Sequence, residues 1–261
     1  MIQISGMDIG SFDQSVLTEL EREILLAKQQ SPVVYSYDSP EALIFELRMR
    51  SRIVDAARSM NASGVSFATF DDDRANERYW SRTENGGFRQ NPGVLASDAI
   101  NDIFANGSLY SFECATAMVI ILYKAVMESI GYDTFNAHFK NLLLYDWQYD
   151  SNLRLITVND KNEAYPGDVL YFKNPDHDPD KPEWQGENAI MLGVDQYFGH
   201  GIGIRSQEEI IAALNKIRIP GSMTSAYLTD EVEHPDFEHL RKLERPITAR
   251  IGMRSYLYRC S

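Results

Sequence analysis

The sequence is poor in cysteine and contains no long hydrophobic run. Only Cys114 and Cys260 occur among the 261 residues, and two distant cysteines exclude a disulfide-stabilised scaffold and favour folding in a reducing compartment. The apolar run at 119–122 is too short to span a bilayer. Residues 1–8 lack the basic region and apolar stretch of a signal peptide. We therefore expect synthesis in the cytoplasm without export by the usual route.

Positive charge is also scarce. The chain has 25 lysines and arginines against 38 aspartates and glutamates, which gives a formal net charge of −13. This balance argues against nucleic acid or an anionic membrane as the main partner, and it is compatible with a substrate that carries lysine. The hydrophobic fraction of 44% and the charged fraction of 24% are ordinary for a globular protein. The length is enough for one or two domains with a substantial core.

The histidines and acidic residues lack a metal-binding pattern. The five histidines do not have the spacing of a zinc site. Asp176, Asp178, Asp180 and Glu187 have the spacing of calcium ligands in an EF-hand loop, but Lys181 stands where that loop needs glycine. We therefore predict that the protein needs neither a metal ion nor a cofactor, and that its activity survives EDTA.

The order of local signals predicts an α+β fold. The Ser39-Pro-Glu sequence is typical of a helix start, and Ser97 is predicted to cap a shorter helix. Residues 84–87 predict a hairpin turn, and Ser206 with Glu209 predicts a capping box. Helices and a hairpin followed by several short strands are the order expected of this class. Short strands are predicted at 65–70, 169–172, 188–192, 197–204 and 226–228.

The strongest single signal is a cysteine that precedes a long apolar segment. Ser111 is predicted as the N-cap of a helix, with Cys114 near the third helical position, where free N–H groups and the helix dipole favour a thiolate. The apolar segment runs to Ile130 and is expected to end at Gly131. A papain-like fold presents its nucleophile in this way. The alternative is that Cys114 is a small core residue, since free cysteines are among the most buried residues.

A catalytic cysteine needs a base or a charged partner close to it in space. Glu187 and His200 lie on or beside two predicted strands that can pack on the cysteine helix, and Glu113 adjoins Cys114 in the sequence. A histidine can take the thiol proton and stabilise the thiolate as an imidazolium, and a buried glutamate with a raised pKa can share that proton. Each of these residues also has a purely structural interpretation. His200 could be a histidine packed on a strand, Glu113 a first-turn residue that interacts with the helix dipole, and Glu187 a solvated residue at the end of a loop.

Several segments occur together in the order seen in one protein family. They are FELRMR at 45–50, FATF at 67–70, FECATA at 112–117, LYDW at 144–147, DVLYFKNP at 168–175, WQGEN at 184–188 and YFGHGIGI at 197–204. Together they resemble the spore-coat transglutaminases of bacilli, the protein-glutamine gamma-glutamyltransferases. The resemblance extends over residues 1–230, where we predict a single catalytic domain. Residues 231–261 are predicted to be a C-terminal extension, because they continue past the usual end of that family.

The resemblance implies an acyl-transfer reaction without calcium. A glutamine side chain would form a thioester with the cysteine and release ammonia, and a lysine amine would then take the acyl group as an isopeptide cross-link. The implied partners are proteins that bear glutamine and lysine. The enzyme is expected to be a monomer that is made in the mother cell and then resides in the spore coat. The implied site residues are the nucleophile Cys114, its acidic partners Glu187 and Glu113, the histidine His200, and two tryptophans of a substrate tunnel, Trp147 and Trp184.

A second and weaker likeness is to the NlpC/P60 cysteine peptidases. The Pro166-Gly-Asp turn, the strand after it and the Phe198-Gly-His sequence are similar to their layout, in which a strand after the turn carries the catalytic histidine. Here Glu187 and Asn188 occupy that place. The expected fold is a papain-like or NlpC/P60-like core, with the nucleophile helix packed on a short-stranded antiparallel sheet. A cysteine peptidase or amidase is the alternative function, and a non-catalytic coat or scaffold protein is the third.

Overall fold

A computed structural model describes residues 1–243, 247–251 and 254–258 of the chain. In the described residues, no helix has both the length and the apolar character needed to cross a membrane. The α-helices of this part of the chain are α1 (Glu19–Gln30), α2 (Pro40–Ala62), α3 (Ala96–Ala105), α4 (Cys114–Ile130), α5 (Tyr132–His138), α6 (Gln207–Asn215) and α7 (Phe237–Leu243).

The strands are short, and most of them belong to antiparallel pairs. In chain order they are β1 (Ile2–Ile4), β2 (Tyr35–Tyr37), β3 (Ser66–Phe67), β4 (Trp80–Arg82), β5 (Phe88–Gln90), β6 (Ser111–Phe112), β7 (Leu143–Leu144), β8 (Leu155–Asn159), β9 (Val169–Lys173), β10 (Gly186–Gly193), β11 (Gln196–Gly199), β12 (Gly203–Arg205), β13 (Tyr227–Pro235), β14 (Ile247–Ile251) and β15 (Arg254–Tyr258). The predicted hairpin is confirmed as β4 and β5. The strand predicted at 65–70 is reduced to the two residues of β3.

Six of these strands form the main sheet. Their order is β12-β11-β10-β9-β13-β8, and every neighbouring pair is antiparallel. Helix α4 packs against α2 and also against β10 of this sheet. The predicted mixture of helices and sheet is therefore confirmed, with the cysteine helix lying between another helix and the sheet.

Helix α4 is buried along almost its whole length, because its apolar residues leave no polar face. Met118 and Ile121 are fully buried, and both belong to the largest hydrophobic cluster. The helix ends at Ile130, followed by Gly131 with a φ of 84°. Glycine adopts this region at little cost, so the predicted stop is confirmed.

The start of α4 differs from the prediction. Ser111 lies in β6, where its backbone pairs with that of Ser66, so the predicted N-cap is wrong. Glu113 is the N-cap, and Cys114 is the first helical residue rather than the third. The two carboxylate oxygens of Glu113 accept hydrogen bonds from two first-turn amides. A single serine hydroxyl would satisfy fewer of these amides.

The other predicted caps have mixed outcomes. Ser39 caps α2, and the Ser206–Glu209 capping box precedes α6, as predicted. The predicted cap at Ser97 is wrong, because α3 begins one residue earlier. The Ser97 backbone N–H instead donates to Asn136 Oδ1 at 2.9 Å, and Asn136 Nδ2 donates to the Ser97 hydroxyl at 2.9 Å. A side chain from α5 thus takes the place of a local cap.

The end of the predicted catalytic domain also has to be corrected. The boundary at residue 230 falls inside β13, which lies between β9 and β8 in the main sheet. Val232 is buried in this strand, and Phe237 and Leu240 of α7 are buried in the largest core. Residues 231–243 are therefore part of the packed structure. Cys260, in the rest of the predicted extension, lies outside the described residues.

A buried charge network joins the first two helices to the start of β9. Arg50 donates from Nε to Glu46 at 2.8 Å and from Nη1 to Asp168 at 2.5 Å, and Lys28 Nζ lies 2.9 Å from Glu46. Burial alone would raise the pKa of Glu46, but the charges of Lys28 and Arg50 hold it far below its usual range. Asp168 also accepts the backbone N–H of Tyr165 at 2.8 Å. The network therefore fixes the turn that leads into β9.

Candidate active site

Cys114 stands where α4 begins, beside strand β10. Its side chain is partly exposed, and its Sγ atom lies 3.7 Å from Asn188 Nδ2. The carboxylate of Glu113 accepts the backbone N–H groups of Ala115 at 2.6 Å and of Thr116 at 2.5 Å. The first-turn amides of α4 are thus engaged by a carboxylate, and the sulfur does not receive them.

The surroundings of Cys114 disfavour a resting thiolate. Burial raises the pKa of the Cys114 thiol well above its usual value, and the charges of Glu187 and Glu113 raise it further. Hydrogen bonds from the backbone and side chain of Asn188 act in the opposite direction. Burial is the main cause of the raised pKa, and the first-turn N–H groups that were expected to favour a thiolate are bound by Glu113 instead. At neutral pH the sulfur is a thiol that needs a base when it reacts.

Glu187 is a buried carboxyl group whose charge acts on that thiol. It lies within β10, is only 3% exposed, and its Oε1 atom has no hydrogen-bond partner among the described residues. Burial raises the pKa of Glu187, the charge of Glu113 raises it further, and the backbone N–H of His200 opposes the rise. A solvated loop end is thereby excluded. Burial therefore disfavours the charged form of both the carboxyl group and the thiol.

Gly199 leaves the space that Glu187 occupies. Gly199 pairs with Ala189 across β10 and β11. A Cβ atom at Gly199 would lie 2.7 Å from Oε1 of Glu187 and 2.9 Å from its Cγ. The close approach of the two strands therefore depends on a glycine at this position.

His200 is close to the site but is not a charged partner of the sulfur. It lies in the turn between β11 and β12, so the predicted continuous strand at 197–204 is wrong. Its Nε2 atom lies 3.1 Å from the carbonyl oxygen of Phe112 and 3.3 Å from that of Ser66. Two carbonyl acceptors require an N–H donor at Nε2, and burial lowers the pKa of His200 to about 4. His200 is therefore neutral near pH 7, and its ring anchors the segment before Cys114.

The two predicted tryptophans occupy different places. Trp147 lines a cleft of about 240 Å³ that also includes Ala115, Asn188 and Tyr171. Trp184 is not among the residues that line this cleft, and its ring lies 6.1 Å from that of Phe67. The structure therefore places Trp147 directly beside the cysteine helix and Trp184 in a separate aromatic group.

Known proteins match this chain over most of its length. The family profile described as protein-glutamine gamma-glutamyltransferase matches residues 1–244. A Bacillus mycoides protein with that name is 45% identical over 233 residues, which cover 89% of this chain and 84% of the relative. The chain belongs to the protein-glutamine gamma-glutamyltransferase family. The family predicted from the sequence is confirmed.

Two further members support this assignment. A protein-glutamine gamma-glutamyltransferase from Bacillus cereus strain B4264 is 46% identical over 216 residues, which cover 83% of this chain and 78% of the relative. The solved structure of the Geobacillus stearothermophilus transglutaminase without its C-terminal extension superposes with a TM-score of 0.75 at 49% identity. That match covers 78% of this chain and 98% of the other. The fold of the transglutaminase family therefore extends over most of the described residues.

Two residues of this transglutaminase family member were not predicted as site residues. Asn188 directs its side-chain amide at the sulfur of Cys114. Tyr171 faces Asn188 across the β9–β10 pair, and its pKa is raised by burial and then by the charge of Cys114. The WQGEN segment already contained Asn188, whereas Tyr171 required the register of the two strands.

The acidic residues with EF-hand spacing do not form a cluster around a site. Asp176 accepts the Ser222 hydroxyl at 2.8 Å, whereas Glu187 is buried in β10. In the part of the chain that the structure describes, no group of three or more His, Cys, Asp and Glu side chains is arranged to hold a metal ion. The candidate site is thus built from protein groups that transfer protons and donate hydrogen bonds.

Proposed function

We propose that this chain is a transglutaminase that joins proteins by ε-(γ-glutamyl)lysine bonds through a thioester on Cys114. The observation that carries the proposal is the position of Cys114 at the start of α4, with Asn188 Nδ2 3.7 Å from its sulfur and the buried carboxyl group of Glu187 at the preceding position of β10. Membership of the family supports the substrate class. The fold class that we propose is a papain-like core, in which α4 presents the nucleophile to the antiparallel sheet.

The first half-reaction acylates the cysteine. As Sγ of Cys114 attacks the carboxamide carbon of a glutamine side chain, its proton passes to the ionised carboxylate of Glu187. The amide N–H groups of Asn188 lie beside the sulfur and stabilise the negative charge that develops there. The C–N bond then breaks, Glu187 returns its proton to the leaving nitrogen, and ammonia departs. A general base of this kind contributes about 10²–10⁴ in rate.

The second half-reaction transfers the acyl group to an amine. The lone pair of a lysine ε-amine attacks the thioester carbonyl, the C–S bond breaks, and the amine proton returns to the sulfur through Glu187. Glu113 substitutes for Glu187 only in part, because both of its carboxylate oxygens already accept backbone N–H groups. His200 positions Glu187 through its backbone N–H. Trp147, in the lining of the cleft, provides apolar surface that limits competition by water.

The remaining parts of the proposal concern conditions and setting. The reaction needs no calcium and no cofactor, because every step uses groups of the chain itself. The substrates are proteins with accessible glutamine and lysine side chains. We place the enzyme, as a monomer, in the spore coat after synthesis in the mother cell.

The proposal is tested by incorporation of a fluorescent primary amine into casein. Wild type, Cys114→Ala and the control Cys260→Ser are compared, with ammonia release measured in parallel and each assay repeated in EDTA. We expect incorporation by wild type and Cys260→Ser in both buffers, and none by Cys114→Ala. Equal incorporation by Cys114→Ala would exclude the nucleophile. Ammonia or peptide release without amine incorporation would indicate an amidase or peptidase, and wild type without either activity would indicate a scaffold protein.

A further inference from the structure

The cleft beside Cys114 carries three carboxylates that are not neutralised. Asp146, Glu231 and Glu233 line it together with Trp147. Among the described residues, no lysine, arginine or histidine forms an ion pair with any of the three. A concave surface of one charge attracts ligands of the opposite charge and raises their local concentration. The cleft is therefore suited to a cation.

Glu231 lies in a distortion of β13, and Glu233 follows it in regular register with β9. Strand β13 has three residues between Leu228 and Val232, whereas β9 has only Tyr171 between their partners. Such a bulge redirects side chains and is common next to active sites. Glu231 is the last of the three residues in this bulge, and its side chain is exposed. Glu233 is half-buried and accepts the Thr157 hydroxyl at 3.3 Å.

The carboxylates are close to the reacting sulfur. The cleft includes Ala115, which follows Cys114, and Asn188, whose amide nitrogen is 3.7 Å from Sγ. The pKa of Tyr171 is raised by burial, then by the charge of Cys114 and then by that of Glu231. Asn188, beside the nucleophile, and Glu231 of the acidic rim therefore line the same cleft.

The rest of the lining is apolar. Trp147, Val169 and Leu170 contribute to the wall of the cleft. A lysine side chain combines a hydrocarbon stem with a compact cationic head, and such stems pack along apolar surface while the head stays near water or an anion. The glutamine carboxamide, by contrast, is neutral and gains no Coulomb attraction from carboxylates. The cleft therefore matches the second substrate of the reaction better than the first.

We propose that this cleft is the entry site for the acyl acceptor, and that Glu231 and Glu233 determine its preference for cationic amines. The proposal rests on the transglutaminase function proposed above. It adds that residues of β13 select the lysine substrate, with Asp146 supporting them from the opposite segment of the lining.

The test compares two acceptors of different charge. Cadaverine carries ammonium groups at neutral pH, whereas hydroxylamine is an uncharged nucleophile. Steady-state constants for both acceptors, and for a glutamine peptide donor, are measured for wild type, Glu231→Gln, Glu233→Gln and the double variant. Asp230→Asn is the matched control, because Asp230 adjoins Glu231 but pairs with Lys161 at 3.0 Å and is not in the cleft lining. Thermal unfolding of each variant monitors the fold.

We expect the KM for cadaverine to rise about threefold in each single variant and about tenfold in the double variant, as partly exposed charge pairs allow. The KM for hydroxylamine and for the glutamine peptide should change less than about twofold, as should all constants of Asp230→Asn. Added salt should weaken cadaverine binding in wild type and have little effect in the double variant.

Equal increases in the KM for cadaverine and the KM for hydroxylamine would overturn the proposal, as would an increase in the KM for the glutamine peptide alone. A double variant that still transfers to hydroxylamine shows that the transglutaminase function is intact whatever the cadaverine result. Wild type without transfer to either acceptor would instead contradict the proposed function itself.

Discussion

Replacing Glu187 by glutamine should change the reactivity and the activity of Cys114 in opposite directions. In the wild type, the negative charge of Glu187 is one of the causes that raise the pKa of the thiol, after burial. Glutamine keeps the size of the side chain and removes that charge. The thiolate fraction of Cys114 should therefore increase at a given pH, while the group that takes its proton during turnover is lost.

The structure sets the size of both effects. A neighbouring charge a few ångströms away changes a protonation equilibrium by about one to two orders of magnitude, and Cys114 remains mainly protonated because burial and Glu113 still act on it. Alkylation by iodoacetamide at about pH 8 should therefore speed up by about 10- to 100-fold, since the thiolate is the reacting form. Amine incorporation should fall by about 10²- to 10⁴-fold, the usual loss on removing a general base.

The assay uses a Cys260→Ser background, so that Cys114 is the only cysteine in the chain. Alkylation is measured from the mass of the intact protein, and amine incorporation is measured with a fluorescent primary amine. Glu208→Gln, on the exposed first turn of α6, is the matched control and should match the parent in both assays. Unchanged or slower alkylation in Glu187→Gln would refute the electrostatic coupling, and unchanged turnover would refute the role of Glu187 as the base.

Four further outcomes follow from the structure. The pKa of Glu187 is raised above its unfolded value, so its ionisation destabilises the fold as pH rises through the folded pKa. Urea titrations should therefore show that Glu187→Gln adds about 1–3 kcal/mol to the free energy of unfolding at about pH 8 and little at about pH 4. Gly199→Ala should displace Glu187 and lower amine incorporation by about 10- to 100-fold, whereas Gly193→Ala, whose added Cβ meets nothing within 4 Å, should retain activity; equal activities would contradict the close packing. Asp168→Asn should leave Arg50 poorly compensated and cost about 3–5 kcal/mol in denaturant unfolding, and a loss below about 1 kcal/mol would contradict the buried network. Because burial lowers the pKa of His200 to about 4, NMR should find its ring neutral from about pH 5.5 to 8, and titration near pH 6.5 would contradict its role as a neutral anchor.

Local signals in the sequence predicted features that depend on nearby residues. The stop at Gly131, the cap at Ser39 and the Ser206–Glu209 box are confirmed because each needs only groups within one or two turns of a helix. The predicted caps at Ser111 and Ser97 are wrong, because the two helices begin at other residues and their first-turn amides donate to Glu113 and to Asn136. A local pattern identifies a helix start to within a few residues, and competition between nearby side chains decides the cap.

Strand β13 shows a different kind of failure. Its polar residues Asp230 and Glu231 coincide with the irregular register opposite Tyr171. The irregularity breaks the alternation by which a strand is predicted, and the boundary predicted at residue 230 falls inside this strand. Its burial depends on β8 and β9, which the chain reaches from far away in sequence.

The sequence alone determined that a cysteine next to a glutamate lies near the start of a buried helix, and that a family of transglutaminases shares its segments. The pKa of that cysteine depends on Glu187 and Asn188, and only the tertiary structure shows that they lie near it. Asn188 is 74 residues away from Cys114 along the chain, and Glu187 adjoins Asn188. The structure also assigned His200 to carbonyl oxygens rather than to the sulfur. The physical reason is that a pKa depends on burial and on neighbouring charges, and strands distant in sequence bring these together.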